Sequence, residues 1–552
     1  MKWLLRIGAL VLVALGAAWL YRDELVLAAV GAAVRARTPV GPHVEVEWTR
    51  GPESPLSAPG ERPPNVVLIL ADDLGWNDLT FAGGGVARGS VPTPNIDSIA
   101  AEGVTFTNGY AANGTCAPSR AAILSGRYGT RFGFEFTPTP PAMIPLMVRL
   151  SARADRPLPV IDYLDARGDE AVAYEAMGMP ASEISLAELL ASAGYHTAHI
   201  GKWHLGRVGG MAPHEQGFAE SLLMASGLYL PEDDPEVVNS KQDFDPIDRF
   251  LWAGMQYAAS FNGGPAFRPR GYLTDYYTDQ AVKVIEANRH RPFFLYLAHW
   301  APHTPLQASA ADYAALDHIE DHRLRVYAAM IRALDRGVGR VLDALRDNGL
   351  EENTLVLFTS DNGGAHYIGL PEVNRPFRGW KISFFEGGIH VPYFARWPAR
   401  IPAGSTVADP VHHFDLFATA AAAAGAPLPD DRVIDGVDLV PHARGEARGA
   451  PHERLFWRQG HYRVVLADGW KLQVAERPDK AWLFHLESDP TEQIDRAARH
   501  PERVAAMRAM LAAHDAEQVP SAWPSLIEAP IAVDKDLSQP FEPGDEYVYW
   551  PN

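Results

Sequence analysis

The chain has 552 residues, 47% hydrophobic and 21% charged, which is enough apolar material for one large core with a smaller satellite and too much for bulk disorder. A net charge of −19 excludes the basic footprint of a nucleic-acid binder, and any anionic substrate must be held by a local cluster of cations against the field of the whole molecule. Cys116 is the single cysteine, so no intramolecular disulfide forms, and no repeat of solenoid or propeller period is present.

The amino terminus carries Lys2 and Arg6, then an uncharged apolar run from Ile7 to Tyr21, then Arg22-Asp23. This pattern predicts an export signal. The run sits at the upper limit of a signal-peptide core, about 7 to 15 residues, and below the about 20 of a spanning helix, so cleavage and anchoring both fit. Gly16, Ala17 and Ala18 would permit a cut after Ala18. Bulky Trp19 and a second apolar stretch, Leu25 to Val34, favour an uncleaved anchor or membrane-adjacent stem with Lys2 and Arg6 left cytoplasmic. The expectation is a protein passed to the export machinery and held in the periplasm or another extracytoplasmic space; a buried amphipathic helix is the alternative. Residues 1–38 are assigned to this signal, anchor and stem, and 39–64, rich in Pro, Gly and Ser, to a linker.

A domain spanning 65–449 follows. Asn65 to Ala71 is a continuous apolar run, the mark of a strand buried on both faces, and it ends at Asp72-Asp73. His196 to Ile200 leads into Gly201-Lys202-Trp203-His204-Leu205-Gly206, Phe293 to Ala298 delivers His299, Pro302 and His303, and Thr354 to Thr359 delivers Asp361-Asn362-Gly363-Gly364. Helical patterns at Ser185 to Ala193, Thr274 to Asn288 and Leu324 to Asn348 alternate with these strands, with Gly194 and Gly349 as stops. The alternation predicts an α/β fold whose ligands bind beyond the carboxyl ends of the strands. Within this domain Thr137 to Glu183 and Met224 to Arg270 carry no recognisable motif and either shape the substrate pocket or decorate the surface.

Residues 450–552 change texture. Short alternating strands at Tyr462 to Ala467, Trp470 to Val474 and from Leu483 precede a helix at Arg503 to His514, and from Gln518 a Pro-rich acidic tail is expected on the surface, pinned by Trp523 and Trp550.

Asp72, Asp73, Asp361 and Asn362 offer hard oxygen donors, which suit Ca2+ or Mg2+ better than Zn2+; strand-end turns are the structural alternative. Arg120, Lys202 and Lys381 supply cations, and His204 and His303 titrate near neutrality, as general acid and base work needs. The run Cys116-Ala117-Pro118-Ser119-Arg120-Ala121-Ala122-Ile123-Leu124-Ser125-Gly126 fills every fixed position of Cys-x-Pro-Ser-Arg-x-x-x-Leu-x-Gly, and so resembles the signature of type I sulfatases. The segments around Lys202, and from Asn374 through Lys381 to Pro392, resemble further motifs of that family, and the likeness runs from about Asn65 to Pro490.

The resemblance implies an alkaline phosphatase-like fold: a large mixed, mostly parallel sheet sandwiched by helices, with a smaller carboxyl-terminal antiparallel sheet and helix. It implies that a formylglycine-generating enzyme converts Cys116 to formylglycine, whose hydrated aldehyde carries one hydroxyl that attacks sulfur and another that helps expel sulfate. It implies one Ca2+ on Asp72, Asp73, Asp361 and Asn362 that also contacts the modified Cys116, with Asp361 activating the attacking hydroxyl. Lys202 and Lys381 would hold sulfate oxygens and Arg120 steady the hydrate. His204 would act as base, and His303 would contact sulfate and protonate the leaving alcohol. His299, His366 and His390 are candidates for supporting roles, and no hydroxyl residue beyond the His204 motif can be assigned to the sulfate contact that some members make. The acidic surface favours an aryl sulfate, a sulfated sugar or a lipid-like ester over a long polyanion. The rivals are a formylglycine-dependent phosphonate monoester or phosphodiester hydrolase, a two-zinc phosphatase, which would need a second set of histidine ligands, and a catalytically silent membrane-tethered binding protein.

Overall fold

A computed structural model describes residues 3, 6–7, 21–56, 61–141, 143–151, 161–164, 170 and 172–552. Most of the apolar run expected to direct export lies outside the described residues, and no described helix is long and apolar enough to cross a membrane. The chain first forms α1 (Arg22–Arg37), then β1 (Asn65–Ala71), α2 (Pro94–Ala101), β2 (Val104–Phe106), α3 (Cys116–Ser125) and α4 (Met143–Ser151). It continues with α5 (Leu186–Ser192), β3 (His196–Gly201), β4 (Glu220–Gly227), α6 (Pro246–Gly254), β5 (Tyr257–Phe261), α7 (Leu273–Ala287), β6 (Phe293–Ala298), α8 (His322–Asp347) and β7 (Thr354–Ser360). β8 (Tyr393–Arg396), β9 (Ser405–Val407) and α9 (Asp415–Ala424) complete the main layer structure.

These strands make one nine-stranded sheet in the order β9-β2-β8-β7-β1-β6-β3-β4-β5. The central five, β7 to β4, run parallel, whereas β8 and β5 join them antiparallel on either side. β1 sits at the middle because both its faces are apolar. Val67, Ile69 and Ala71 pack towards α2, α7 and α8, while Val66, Leu68 and Leu70 pack towards α3, α5 and α9. Each such buried aliphatic side chain contributes about 1.5–3 kcal/mol, and the two-sided demand produces the helix–sheet–helix sandwich. Local signals set the helix ends: Ser185 caps α5 by accepting from the Glu188 N–H at 3.0 Å while Glu188 Oε2 accepts from the Ser185 N–H at 2.8 Å, and Asp321 Oδ1 accepts from the Leu324 N–H to open α8.

Residues 39–56, expected as a linker, have little regular structure and are nevertheless packed. Val46 and Trp48 are buried in the main core, and the Trp48 indole donates to Gln280 of α7 at 2.9 Å. The two segments without motifs meet each other: α4 and α6 pack against α1 through Leu27, Leu146, Leu150 and Phe250, and β5 forms one edge of the sheet.

Towards the carboxyl end β10 (Arg454–Gln459), β11 (Tyr462–Ala467), β12 (Trp470–Glu476) and β13 (Asp479–His485) form an antiparallel sheet, with α10 (Pro501–Asp515) on one face through Met507 and Leu511. Its other face presents Leu455, Trp457, Val464, Trp482 and Phe484 to the main core. The stretch from Gln518, expected as a surface tail, forms an antiparallel pair of strands, β14 (Ile527–Ala532) and β15 (Tyr547–Pro551), to which Asp162–Tyr163 adds. Trp523 is buried against Phe134.

A buried ion triad joins this smaller sheet to the main domain. Lys471 Nζ of β12 lies 2.6 Å from Glu386 Oε1 and 3.0 Å from Glu492 Oε1, with all three side chains at most 2% exposed. Removing the lysine of such a group leaves buried charge uncompensated. Lys471→Met is therefore expected to lower the unfolding free energy by about 3–5 kcal/mol, read as a lower denaturant midpoint; an unchanged midpoint would mean that the triad contributes nothing.

Candidate active site

Four strands end side by side and deliver the polar residues to one crevice. β1 presents Asp72 and Asp73, β3 presents Lys202 and His204, β6 presents His303, and β7 presents Asp361 and Asn362. α3 begins at Cys116 and carries Arg120 one turn later. The loop after Asn374 brings in Lys381. At the end of β3, Gly201 is the residue that makes the turn possible: its φ is +109°, and a Cβ there would meet the Ala298 carbonyl at 1.9 Å.

The Cys116 Sγ lies 3.6 Å from Asp72 Oδ1 and 3.8 Å from Asp73 Oδ1. Arg120 is fully buried and is held by carboxylates on two strands. Its Nε donates to Asp361 Oδ2 at 2.9 Å and one terminal nitrogen to Asp72 Oδ2 at 3.0 Å, while the other donates to the Lys202 carbonyl at 3.1 Å. Lys202 Nζ is 2.6 Å from Asp72 Oδ2, and Lys381 Nζ is 2.7 Å from Asp73 Oδ1. Asn362 Nδ2 donates to Asp73 Oδ1 at 2.8 Å. His303 Nδ1 donates to the Thr304 carbonyl at 2.6 Å, which leaves Nε2 facing Lys381 Nζ at 3.4 Å and Asp73 Oδ2 at 3.5 Å. Its ring stacks on Trp300 with centroids 3.9 Å apart, and Lys202 Nζ sits 4.7 Å from the centroid of the same indole.

Nine of the ten residues expected at the site are thus joined by direct contacts. His204 stands beside them, felt by the Lys202, Arg120 and Lys381 charges and with the Pro138 backbone close to its ring. Through Pro138 the first segment without motifs touches the site. The three supporting candidates separate. His390 bonds Glu386 and the Thr107 carbonyl, each at 2.8 Å, and belongs to the contact with the smaller sheet. His299 is buried in the core beneath β6. His366 flanks Tyr367, whose hydroxyl donates to Asp73 Oδ2 and accepts from Lys381 Nζ, each at 2.8 Å. The sequence reading missed Tyr367, because it occupies a loop position that no motif marks.

Burial and charge shape the ionisation of the group. Burial and the neighbouring Asp361 push the Asp72 carboxyl up to about 7, against Lys202 and Arg120. Burial would also raise Asp73 and Asp361, but Lys381 and Lys202 hold the first, and Arg120 and Lys202 the second, below the usual carboxylate value. Burial, aided by Asp361, raises the Cys116 thiol, which disfavours a thiolate. Burial and the adjacent lysines depress both His204 and His303 well below the ordinary imidazole value, so both rings rest neutral.

The donor chemistry fits a hard cation. Ligand atoms of Asp72, Asp73, Cys116 and His303 lie within 4.8 Å of one another. The Asn362 Oδ1 is buried without a hydrogen-bond partner, an uncompensated acceptor of the kind a bound cation satisfies. Asp361 reaches this group through its Oδ1, which accepts from the Asp73 N–H at 3.2 Å, and through Arg120.

The Sulfatase family model matches residues 64–426. The N-acetylgalactosamine-6-sulfatase of Homo sapiens is 32% identical over 502 residues, covering 83% of this chain and 87% of the relative. The steryl-sulfatase of Homo sapiens is 30% identical over 501 residues, covering 77% of each. Among solved structures, Ps i-CgsB in complex with k-i-k-neocarrahexaose superposes with a TM-score of 0.68 at 29% identity, covering 84% of this chain and 95% of that one. The chain, with its α/β sandwich and its polar crevice at the strand ends, belongs to the sulfatase family of enzymes that hydrolyse sulfate esters.

Proposed function

We propose that this sulfatase cleaves a sulfate monoester of a saccharide, using formylglycine made from Cys116 and one Ca2+ held by Asp72, Asp73, Asp361 and Asn362. The observation that carries the reading is the position of Cys116. Its side chain opens a buried helix in contact with two carboxylates, inside a ring of three further cationic side chains. The aldehyde hydrate would supply the nucleophile and the cation would supply positive charge beside it.

The chain's own residues do the rest. Lys202, beyond the end of β3, and Lys381, on the loop after Asn374, approach the carboxylate pair from different sides and present two ammonium groups to the anionic ester, where they hold the oxygens on which charge grows. Arg120 keeps Asp72 and Asp361 in register, so the donors do not drift apart as substrate enters. His303 turns Nε2 into the crevice 3.4 Å from Lys381 Nζ; with its own ring proton on Nδ1, it would relay a proton received at Nε2 from that ammonium to the leaving alcohol oxygen. His204 rests neutral, as a base must, and takes the proton whose loss expels sulfate. A saccharide substrate is supported by the names of two relatives, an N-acetylgalactosamine-6-sulfatase and a structure solved with k-i-k-neocarrahexaose. The apolar run from Ile7 to Tyr21 supports export, with α1 as a stem next to the membrane.

Mass spectrometry of the tryptic peptide Gly89 to Arg120, from enzyme made beside a formylglycine-generating enzyme, is expected to show aldehyde in place of thiol, and Cys116→Ala to abolish turnover. Retained thiol in an active preparation, or turnover of a phosphodiester above that of a sulfate ester, overturns the reading. Dialysis against a chelator is expected to remove activity and Ca2+ to restore it, whereas restoration by Zn2+ alone would contradict the oxygen donor set. Lys202→Ala is expected to lower kcat by about 10²- to 10³-fold, the loss typical of one donor to a developing oxyanion; a kcat within tenfold of the parent would take Lys202 out of that role.

A further inference from the structure

Tyr367 lies in the single 3-10 turn His366–Ile368, five residues beyond Asn362. The turn is fixed from two sides. The Leu537 N–H donates to the His366 carbonyl at 3.2 Å, and Arg323 donates to the Gly369 carbonyl at 3.0 Å. The tyrosine ring is 3% exposed and its centroid lies 5.4 Å from Lys381 Nζ.

The hydroxyl is placed where its two roles are forced. Its proton is directed to Asp73 Oδ2, at 2.8 Å, because a carboxylate only accepts. Its lone pair then faces Lys381 Nζ, also at 2.8 Å, because an ammonium only donates. The other near partners of Lys381 Nζ are the two oxygens of Asp73, at 2.7 and 2.8 Å, and His303 Nε2, at 3.4 Å. The phenol therefore fixes the direction of the ammonium group and the plane of the Asp73 carboxylate together. A phenylalanine would fill the same space and leave both groups one bond short, since hydrogen bonds to charged groups in a buried site are the strong ones.

We infer that Tyr367 is a positioning residue for sulfate-ester hydrolysis, aiming the Lys381 ammonium and the Asp73 carboxylate through one bridging hydroxyl. The inference rests on the reading in which Lys381 holds the substrate anion. Tyr367→Phe is expected to lower kcat by about ten- to a hundredfold, the worth of one hydrogen bond to a charged group, with KM changed by less than about threefold and the thermal unfolding midpoint kept. Combined with Lys381→Arg, which keeps the charge and moves it, the losses are expected to be non-additive, because both changes act on one ammonium position. A kcat within twofold of the parent, additive losses in the cycle, or a Tyr367→Phe chain that does not fold would each overturn the assignment, the last by making the hydroxyl a structural bond. The state of Cys116 is read by mass spectrometry in the parent and in every variant. A failure of the aldehyde reading then appears in the parent enzyme, separately from any result at Tyr367.

Discussion

The molecule is organised around a buried balance of charge. Asp72, Asp73 and Asp361 meet Arg120, Lys202 and Lys381 in a space where each side chain is at most 8% exposed. Neither sign could be kept there alone, because isolated buried ions incur desolvation penalties of several kcal/mol each. The arrangement holds only if β1, β3 and β7 end level with one another and α3 starts beside them. The parallel register fixes that, with Ala71 opposite Ser360, Leu70 opposite Ala298 of β6, and Ala298 in turn opposite Gly201 of β3. Sheet geometry and site chemistry are in this sense one constraint. The elevated Asp72 marks where compensation is least complete, since burial and Asp361 there outweigh Lys202 and Arg120.

The backbone carries part of the cost. Asp73, His204 and Ile382 have φ values of +61°, +64° and +82°, a left-handed region that residues other than glycine enter at about 1–3 kcal/mol each. These three lie in the site or next to a site lysine, while Ala87, Arg88, Asn262, Asp468 and Glu492 enter the same region elsewhere in the molecule. Asp73 is over-determined by its partners, gripped by Lys381, Asn362 and Tyr367 at once. At Asp73 tight side-chain bonding and a strained turn therefore sit at the same position, as expected where precision of placement outweighs local ease.

Much of this was legible in the amino-acid sequence. β1 and β6 fall on the apolar runs that mark them, and α5, α7 and α8 fall within two residues of their periodic patterns, because burial on both sides of a parallel sheet leaves an unmistakable record. The site residues were found as motifs, and their convergence followed from the rule that strands of such a sheet deliver their carboxyl ends to one edge. What escaped has a physical reason in each case. Tyr367 acts through a hydroxyl in a loop without periodicity. Lys471 and Glu492 look like ordinary surface charges until the small sheet docks and buries them against Glu386. The strands β14 and β15 are masked by the proline and acidic residues around them, and Trp48 lies in a stretch whose composition reads as linker although its indole is anchored on α7.

The central place of β1 also sets a schedule. Asn65 is hydrogen-bonded to Thr354, a partner 289 residues later in the chain. At roughly 5–20 residues per second of synthesis, the strand emerges and then waits roughly 15–60 s before its neighbour β7 exists. For most of that interval its six apolar residues have no native sheet to enter, because its other neighbour β6 also lies far along the chain, the condition under which non-local β pairing is slow and open to aggregation. A nascent chain of this kind would depend on holding factors for most of its own production, and its yield should respond to translation speed more than to the stability of the finished enzyme.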